Sequence, residues 1–369
     1  MHCRTISLLT ACLAFVAAPA LARNPTRAAA QTTGFVYVAT NESPSNAVIQ
    51  FRRAGNGSLT QISEAATGGS GTGASTVDPL GSQDALVLSP DGAFVLVVNA
   101  GSDEVSSLSA GAAGLQLVST VSSNGTFPNS IALSGDLVYV LNAKGTPNIT
   151  GFHVSATGTL TAIPNSTQSL PGGSTAAPHD IHFSPDGTRV IVTEGGTNQI
   201  DVFQLDANGL PTGVVTTPSA GSVPFGFRFG RAGALICTEA ASASASSYFL
   251  TAQDTLRVIS PAVANGQAAS CWISLTGDGK FGFVSDTGSG TFSSYQVSGN
   301  GTLNLVSAVA ASTNGAAPID SAFSSDSAFF YVEDSSHGNI LIYRVHGASL
   351  QALGSVTGLP PSTQGIAAQ

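Results

Sequence analysis

Residues 178–196 read PHDIHFSPDGTRVIVTEGG and contain the unit that organises the whole chain. The unit joins a short apolar segment, a Ser-Pro-Asp-Gly turn and a β-rich run that ends in an acid. A plainer copy, QDALVLSPDGAFVLVVN, occupies residues 83–99. Pro, Asp and Gly at these positions are typical of a tight connection between two strands. Recurrence of such a unit at a fixed spacing indicates a repeat architecture.

The repeat continues through the chain. The last apolar residue before each turn marks the period, and these markers are Leu88, Leu133, Phe183, Phe229, Leu275 and Phe323. Their spacing, about 46 residues, accommodates four short strands, and no helical periodicity intervenes. A seventh copy begins at Phe35 without its first strand, and the C-terminal PPSTQGIAAQ resembles the first-strand sequence TFPNSIALS at 126–134. Residues 34–369 therefore predict an all-β, seven-bladed β-propeller of four-stranded antiparallel blades, closed by a C-terminal strand that joins the N-terminal blade.

The N-terminus predicts export. Residues 1–22 contain Arg4, an apolar run from Ile6 to Ala18 and a small-residue site ending at Ala22, which is the pattern of a signal peptide. We expect residues 23–33 to form a polar, structureless lead-in, and the protein to be secreted, periplasmic or attached to the cell surface. An alternative is lipidation at Cys12, which follows a lipobox-like Leu-Thr-Ala.

Composition limits the partners. The chain carries a net charge of −9, only 9% charged residues and no basic run, which argues against nucleic acid and anionic membranes. After signal cleavage we expect no membrane partner, a small-molecule ligand and a monomeric closed ring. Cys237 and Cys271 remain in the exported part, and the sequence leaves open whether they pair or stay free.

Unusual residues cluster in four consecutive blades. Side chains alternate along a strand, so one set on each innermost strand must face the central channel. Most blades place small residues there. The exceptions predicted to face the channel are Asp180, His182, Arg228, Trp272 and Asp320. His179 is expected at the rim, and the acids that end the second strands of these blades include Glu194, Glu239 and Asp286. We expect all of them near the top mouth, the face opposite the Ser-Pro-Asp-Gly turns.

The PHDIHFSPDGTRVIVTEGG pattern, the seven-fold period and the split closing blade resemble the seven-bladed lactonase propeller family. That family includes 6-phosphogluconolactonase-type enzymes and fungal carboxymuconate cyclases. Such enzymes typically carry an Arg-His pair before a Phe-His-Pro turn, whereas this chain has His179-Asp180 and Phe183-Ser184-Pro185. This departure, and a single channel arginine, argue against a sugar phosphate. The segments VVNAGSDEV (97–105) and VTEGGTNQIDVF (192–203) also resemble the YVTN-type propellers of surface proteins, which are not enzymes as a rule.

The resemblance implies a lactonase-like hydrolase or cyclase for a small carboxylated or sugar lactone. His182 beside Asp180 suits a base held by a carboxylate, Arg228 suits an oxyanion or carboxylate, and Glu194 is a reserve acid. His179, Trp272, Asp320, Glu239 and Asp286 are the predicted substrate contacts. Three alternatives remain for the same residues: a purely structural Asp180–Arg228 pair, a divalent metal on Asp180, His182, Asp320 and Glu194, and a non-enzymatic extracellular binding propeller. No cofactor is expected.

Overall fold

Seven four-stranded antiparallel sheets form a ring in the computed structural model, which describes residues 34–369. The predicted signal peptide and lead-in lie outside these residues. The strands of blades 1 to 3 are β1 Gly34–Ala39, β2 Ala47–Arg53, β3 Leu59–Ala66; β4 Leu86–Leu88, β5 Phe94–Asn99, β6 Glu104–Ser109, β7 Gln116–Ser122; and β8 Thr126–Ser134, β9 Leu137–Lys144, β10 Asn148–Val154, β11 Leu160–Ala162 with the short β12 Gln168–Ser169.

Blades 4 to 7 follow the same order along the chain. Their strands are β13 Pro178–Phe183, β14 Arg189–Glu194, β15 Gln199–Leu205, β16 Pro211–Pro218; β17 Pro224–Phe229, β18 Ala234–Glu239, β19 Ser244–Leu250, β20 Leu256–Ala264; β21 Ser270–Leu275, β22 Phe281–Asp286, β23 Thr291–Val297, β24 Leu303–Ser312; and β25 Pro318–Phe323, β26 Phe329–Asp334, β27 Asn339–His346, β28 Ser349–Thr357. The described residues also form two 3₁₀ turns, Gly173–Thr175 and Arg231–Gly233. No helix among the described residues is long and apolar enough to cross a membrane.

The ring closes as predicted. The last strand, β29 (Ile366–Ala368), pairs antiparallel with β1 and supplies the innermost strand of blade 1. The innermost strands β29, β4, β8, β13, β17, β21 and β25 contact their neighbours around the axis. Each innermost strand is the end strand of its own sheet, and closure by the C-terminus supplies the innermost strand that blade 1 would otherwise lack.

The Ser-Pro-Asp-Gly turns owe their shape to two local features. In each, the first hydroxyl donates to the following aspartate, with Oγ–Oδ1 distances of 2.6 Å at Ser89–Asp91 and Ser184–Asp186. The glycine has a left-handed φ, +72° at Gly92 and +71° at Gly187, which a residue without Cβ adopts at little cost. These turns all connect the first and second strands of a blade, so they lie on one face of the ring.

The core lies between the blades. Ile181 and Phe183 pack against blade 3, Phe227 packs against blade 4, and Ile273 packs against blade 5. Large apolar side chains of the innermost strands therefore pack between the blades, and the alternate positions face the axis, as the alternation predicts. Cys237 and Cys271 are both buried and free.

Candidate functional site

A cavity of about 550 Å³ occupies one end of the central channel. Its mouth is formed by residues next to the turns between first and second strands, including Leu88, Pro90, Leu133, Phe229 and Gly277. The site therefore opens on the turn face, and the expectation of a site at the opposite, top mouth is wrong. Its volume lies in the range of small-molecule sites.

The top mouth is closed by the chain that connects blades 1 and 2. We call residues 78–84 the plug segment, since they cross the channel axis. The side-chain oxygen of Gln83 accepts from the backbone amide of Ile273 (2.8 Å). The backbone amide of Gln83 donates to the His179 carbonyl (3.1 Å). Gly226 makes this crossing feasible, because a side chain there would collide with Gln83. Gln364 anchors the segment, accepting from the Leu80 amide and donating to the Ser82 carbonyl, both at 2.8 Å.

Three side chains meet at the inner end of the cavity. The His182 Nε2 atom lies 2.7 Å from Asp84 Oδ2, and Arg228 Nη2 lies 2.7 Å from Asp84 Oδ1. Arg228 Nη1 is within hydrogen-bond distance of His182 Nε2 and donates to the Phe227 carbonyl at 2.9 Å. His182 is 24% exposed and Arg228 is 22% exposed. Both therefore present polar atoms to anything that enters the cavity.

Asp180 and Asp320 lie behind this cluster and do not line the cavity. Asp180 is fully buried and accepts from the amides of Ile181 and Phe227, each at 2.9 Å, from Ser130 Oγ (3.3 Å) and from Gln83 Nε2 (3.4 Å). Its Oδ2 lies 3.6 Å from both His182 Nε2 and Arg228 Nη1. Asp320 accepts from the amides of Ser321 (2.8 Å) and Asp84 (3.3 Å). Asp180 thus links its blade to the two neighbouring blades through Ser130 and Phe227. The short contact with the His182 imidazole is made by Asp84.

Two carboxylates and one guanidinium lie together at the inner end. Burial pushes the pKa of Asp84 upward, but the Arg228 guanidinium and the His182 imidazole outweigh burial and hold this pKa below its usual value. Burial is the largest influence on Asp180 and raises its pKa to about 6. Burial and the nearby Asp84 carboxylate raise the pKa of Asp320 well above its usual range. At pH 7, above its pKa of about 6, Asp180 is therefore mostly ionised, so the Asp84 and Asp180 carboxylates both face the single guanidinium of Arg228.

The acids that end the second strands make their hydrogen bonds within or beside their own blades. Glu194 accepts from the Gly172 amide (3.0 Å) and Thr197 Oγ1 (2.6 Å). Glu239 accepts from Tyr248 Oη (3.0 Å), and Asp286 accepts from Asn265 Nδ2 (2.8 Å). All three are buried and none lines the cavity. The structure does not bring them to His182, because the second strands end on the face of the ring opposite the turn face, where the cavity opens.

His179 and Trp272 lie under the plug segment. The His179 ring stacks on Phe225 with a centroid distance of 4.3 Å, and its Nδ1 lies 2.6 Å from the Gly81 carbonyl. Trp272 is 1% exposed and donates from Nε1 to the Ser82 carbonyl at 2.8 Å. Burial lowers the pKa of His179 to about 4, so this imidazole is neutral at physiological pH. Both residues hold the closed mouth, and the cavity wall does not include them.

The residues that could bind a metal differ from the set predicted from the sequence. Among the described residues, Asp84, Asp180 and His182 offer ligand atoms that all lie within 4.8 Å of one another. Glu194 and Asp320 do not belong to that set. The Arg228 guanidinium contacts all three residues and already supplies positive charge there. A divalent ion would have to displace this guanidinium, so the donors fit an arginine better than a metal.

Asp84 is the candidate site residue that the sequence did not predict. By alignment of the turns it matches His179, a rim position, and its blade otherwise contributes only small or apolar residues to the channel. Its backbone has a left-handed φ of +60°, a conformation that aspartate adopts more readily than most residues. That conformation precedes the first strand of blade 2 and directs the carboxylate towards His182. The one signal available was an acid next to a repeat strand that follows a long insertion.

Comparison with known proteins agrees with this architecture. The family described as "Lactonase, 7-bladed beta-propeller" matches residues 33–175 and 173–357. A periplasmic gluconolactonase of Pseudomonas aeruginosa superposes with a TM-score of 0.71 at 20% identity, over 90% of this chain and 99% of that one. A candidate 6-phosphogluconolactonase of Bacteroides fragilis gives 0.72 at 19% identity, over 92% and 99%. A Lactobacillus plantarum protein gives 0.73 at 21%, over 91% and 98%.

At these identities the superpositions show a shared fold. No curated protein matches the chain in sequence. The family match, in contrast, covers nearly all of the described residues, including the innermost strands that carry His182 and Arg228. The chain therefore belongs to the seven-bladed lactonase β-propeller family.

Proposed function

We propose that this protein is a hydrolase that opens a small lactone at the inner end of the cavity. The observation that carries the proposal is the contact of His182 with both Asp84 and Arg228 at the inner end of a cavity lined mostly by apolar residues. A scaffold needs no partly exposed imidazole against a charged pair at this point. Membership of the lactonase family supports the same reaction class.

Each group has a role in ring opening. Water attacks the lactone carbonyl carbon, a new C–O bond forms, and the water proton passes to His182. Arg228 donates to the carbonyl oxygen as it becomes an oxyanion. Asp84 orients the imidazole and stabilises it while it carries the proton. The ring C–O bond then breaks, His182 returns the proton to the departing alkoxide, and the product is a hydroxy acid.

The same groups serve the reverse reaction, in which a hydroxyl adds to a carboxylic acid and water leaves. Sequence reasoning expects a carboxylated or sugar lactone as the substrate. The family match supports the reaction class. The direction of the reaction and the identity of the substrate belong to the proposal.

The test is turnover of a lactone panel, followed by proton release at constant pH. We expect His182→Ala and Arg228→Ala to lower kcat/KM by about 100-fold or more, the usual size of a lost acid–base or oxyanion contribution. His153→Ala is the matched control, since His153 is exposed on an outer strand and pairs with Asp136 at 3.1 Å. Equal rates in all three variants would contradict the proposed site.

The non-enzymatic alternative has its own signature in this experiment. A binding propeller would retain a small molecule in the cavity, lose that binding in the Arg228→Ala variant, and release no protons with any lactone. That result would replace the enzymatic proposal by a binding function at the same residues.

We also propose that the activity operates outside the cytoplasm, in line with the signal-peptide pattern of residues 1–22. One structural neighbour is described as periplasmic. N-terminal analysis of the protein from its native host should find Arg23 first. A chain beginning at a lipid-modified Cys12 would support the alternative, and retention of residues 1–22 would contradict export.

A further inference from the structure

The wall of the cavity differs in chemistry from its inner end. The wall is made mostly of aliphatic and aromatic side chains: Val87, Leu133, Phe229, Leu275, Phe323 and Ile366. The charged groups are confined to Asp84, His182 and Arg228. A ligand that fills the cavity therefore has its reactive group at the charged end and most of its remaining surface beside apolar side chains.

Among the described residues that line the cavity, an anionic ligand finds no cation whose charge is uncompensated, because Asp84 opposes the charge of Arg228. Among the described residues that line it, Arg228 is the only lysine or arginine. Its guanidinium is already bonded to Asp84, His182 and the Phe227 carbonyl. A phosphate or carboxylate placed beside Arg228 would also approach the ionised Asp84 carboxylate. Loss of hydration without a net opposite charge makes that approach unfavourable.

A polyhydroxylated ligand finds few free side-chain hydroxyls among the described residues that line the cavity. The neutral hydroxyls that line the cavity belong to Ser274, Thr276 and Ser321. Ser274 Oγ donates to the Ser321 carbonyl (2.9 Å) and lies 3.0 Å from Ser321 Oγ, while Thr276 Oγ1 donates to Asp278 (2.8 Å). These groups bond to the protein itself. Sugar hydroxyls buried here would lose water without gaining equivalent partners.

We infer that the substrate is an uncharged lactone with an apolar alkyl or aryl substituent, which lies along the Val87, Leu133 and Phe229 wall while the ring ester meets His182 and Arg228. This inference rests on the proposed function and names the substrate class of the same site. It replaces the sequence-based expectation of a carboxylated or sugar lactone, because neither the charge nor the hydroxyls of such a ligand would be satisfied.

The experiment is a series of δ-lactones whose side chain grows by one methylene at a time, compared with glucono-δ-lactone, its 6-phosphate and a carboxylated γ-lactone. Each added methylene should raise kcat/KM roughly two- to four-fold until the cavity is full. The sugar, phosphorylated and carboxylated lactones should each be at least about ten-fold poorer than the best alkyl lactone. A series that stays flat with chain length overturns the inference.

A matched pair of variants locates the effect. Val87→Thr places a hydroxyl on the cavity wall without changing its shape, and should weaken the best alkyl lactone roughly two- to five-fold in KM with kcat nearly unchanged. Val118→Thr makes the same change on the outer strand β7, where Val118 is exposed, and should have no effect. Equal KM values in both variants would show that the substituent of the lactone does not contact this wall.

A binding measurement separates failure of the inference from failure of the proposed function. The probe is the δ-lactam of the best alkyl chain, which resists hydrolysis, titrated by calorimetry against the wild type and Val87→Thr. Preferred turnover of a sugar or anionic lactone overturns the inference and leaves lactone hydrolysis standing. If no lactone turns over, the proposed function fails, and the lactam decides the inference: wall-dependent binding supports an apolar ligand, and absent binding overturns it.

Discussion

Asp84 lies with Oδ2 2.7 Å from His182 Nε2, although the two residues belong to different blades and face each other across the channel axis. The carboxylate reaches the imidazole because the plug segment crosses the channel and ends at Asp84. One short segment thus closes the top mouth and completes the charged cluster of the turn-face cavity. The geometry of the cluster therefore depends on an insertion that no other blade contains.

Replacing Asp84 by Asn should lower kcat/KM by roughly 10- to 100-fold, because the amide neither stabilises a protonated imidazole nor neutralises Arg228. The pH–rate profile should change as well, since a charge next to His182 is lost. Asp136→Asn is the control, because Asp136 is exposed and pairs with His153, remote from the cavity. Full activity of the Asp84→Asn variant would exclude this carboxylate from the reaction.

Asp180→Asn should act on stability more than on chemistry. Both carboxylate oxygens accept from backbone amides, Ile181 at Oδ1 and Phe227 at Oδ2, so an Asn NH₂ group must face one of these donors. We expect the free energy of unfolding to fall by about 1–3 kcal/mol. Denaturant melts of this variant and of His182→Ala distinguish the two roles. A stable Asp180→Asn protein that loses activity as His182→Ala does would make Asp180 a direct participant.

Gln364→Leu should loosen the plug segment. Gln364 is fully buried and holds Leu80, Ser82 and Asp78 through three side-chain hydrogen bonds of 2.8 Å. Trp272, the single tryptophan of the chain, donates to the Ser82 carbonyl and reports on this segment. Its fluorescence should resist iodide in the wild type and become quenchable in Gln364→Leu. The exposed Gln351 gives the control Gln351→Leu, which should resist iodide, and equal quenching of both variants would contradict the anchor.

Asp201→Asn should stabilise the protein at alkaline pH. Burial, followed by the hydrogen bond to Glu194, raises the pKa of Asp201 to about 8. The folded state therefore binds a proton that the unfolded state releases near pH 4, so this group costs stability as pH rises from about 4 to about 8, by at most about 1.4 kcal/mol per pH unit.

We therefore expect the melting temperature of Asp201→Asn to exceed that of the wild type by a few degrees at pH 8.5 and to match it near pH 4.5. Glu64→Gln, at an exposed carboxylate of β3, serves as the reference. A difference of the same size at both pH values would mean that packing, and not the proton, accounts for the effect.

Cys237 and Cys271 should resist thiol reagents in the native protein and react only after denaturation. Both are free and buried, and burial raises the pKa of each thiol above its usual value, which keeps the reactive thiolate scarce. Peptide mass spectrometry after labelling identifies each residue. Unlabelled cysteines in the denatured, unreduced protein would instead reveal a disulfide.

The sequence alone determined the architecture of residues 34–369. Period, turn residues and strand alternation are local properties, so the SPDG turns, the inter-blade Ile181 and Phe183, and the closing strand at Ile366 followed from the printed residues. The same alternation directed His182 and Arg228 to the axis. The alternation could not predict which end of the channel is open, because closure of the top mouth depends on the conformation of an insertion that does not repeat in the other blades.

Tertiary structure decided which acid serves the cluster. Asp180 is next to His182 in the sequence pattern, but its oxygens accept from the amide of Ile181 on its own strand and from the amide of Phe227 in the next blade. Asp84 is remote in sequence, and only the left-handed backbone at the end of the plug segment brings its carboxylate to the axis. The direction of a side chain after an irregular loop depends on a few backbone dihedrals and on long-range anchors such as Gln364, and these are properties of the assembled ring.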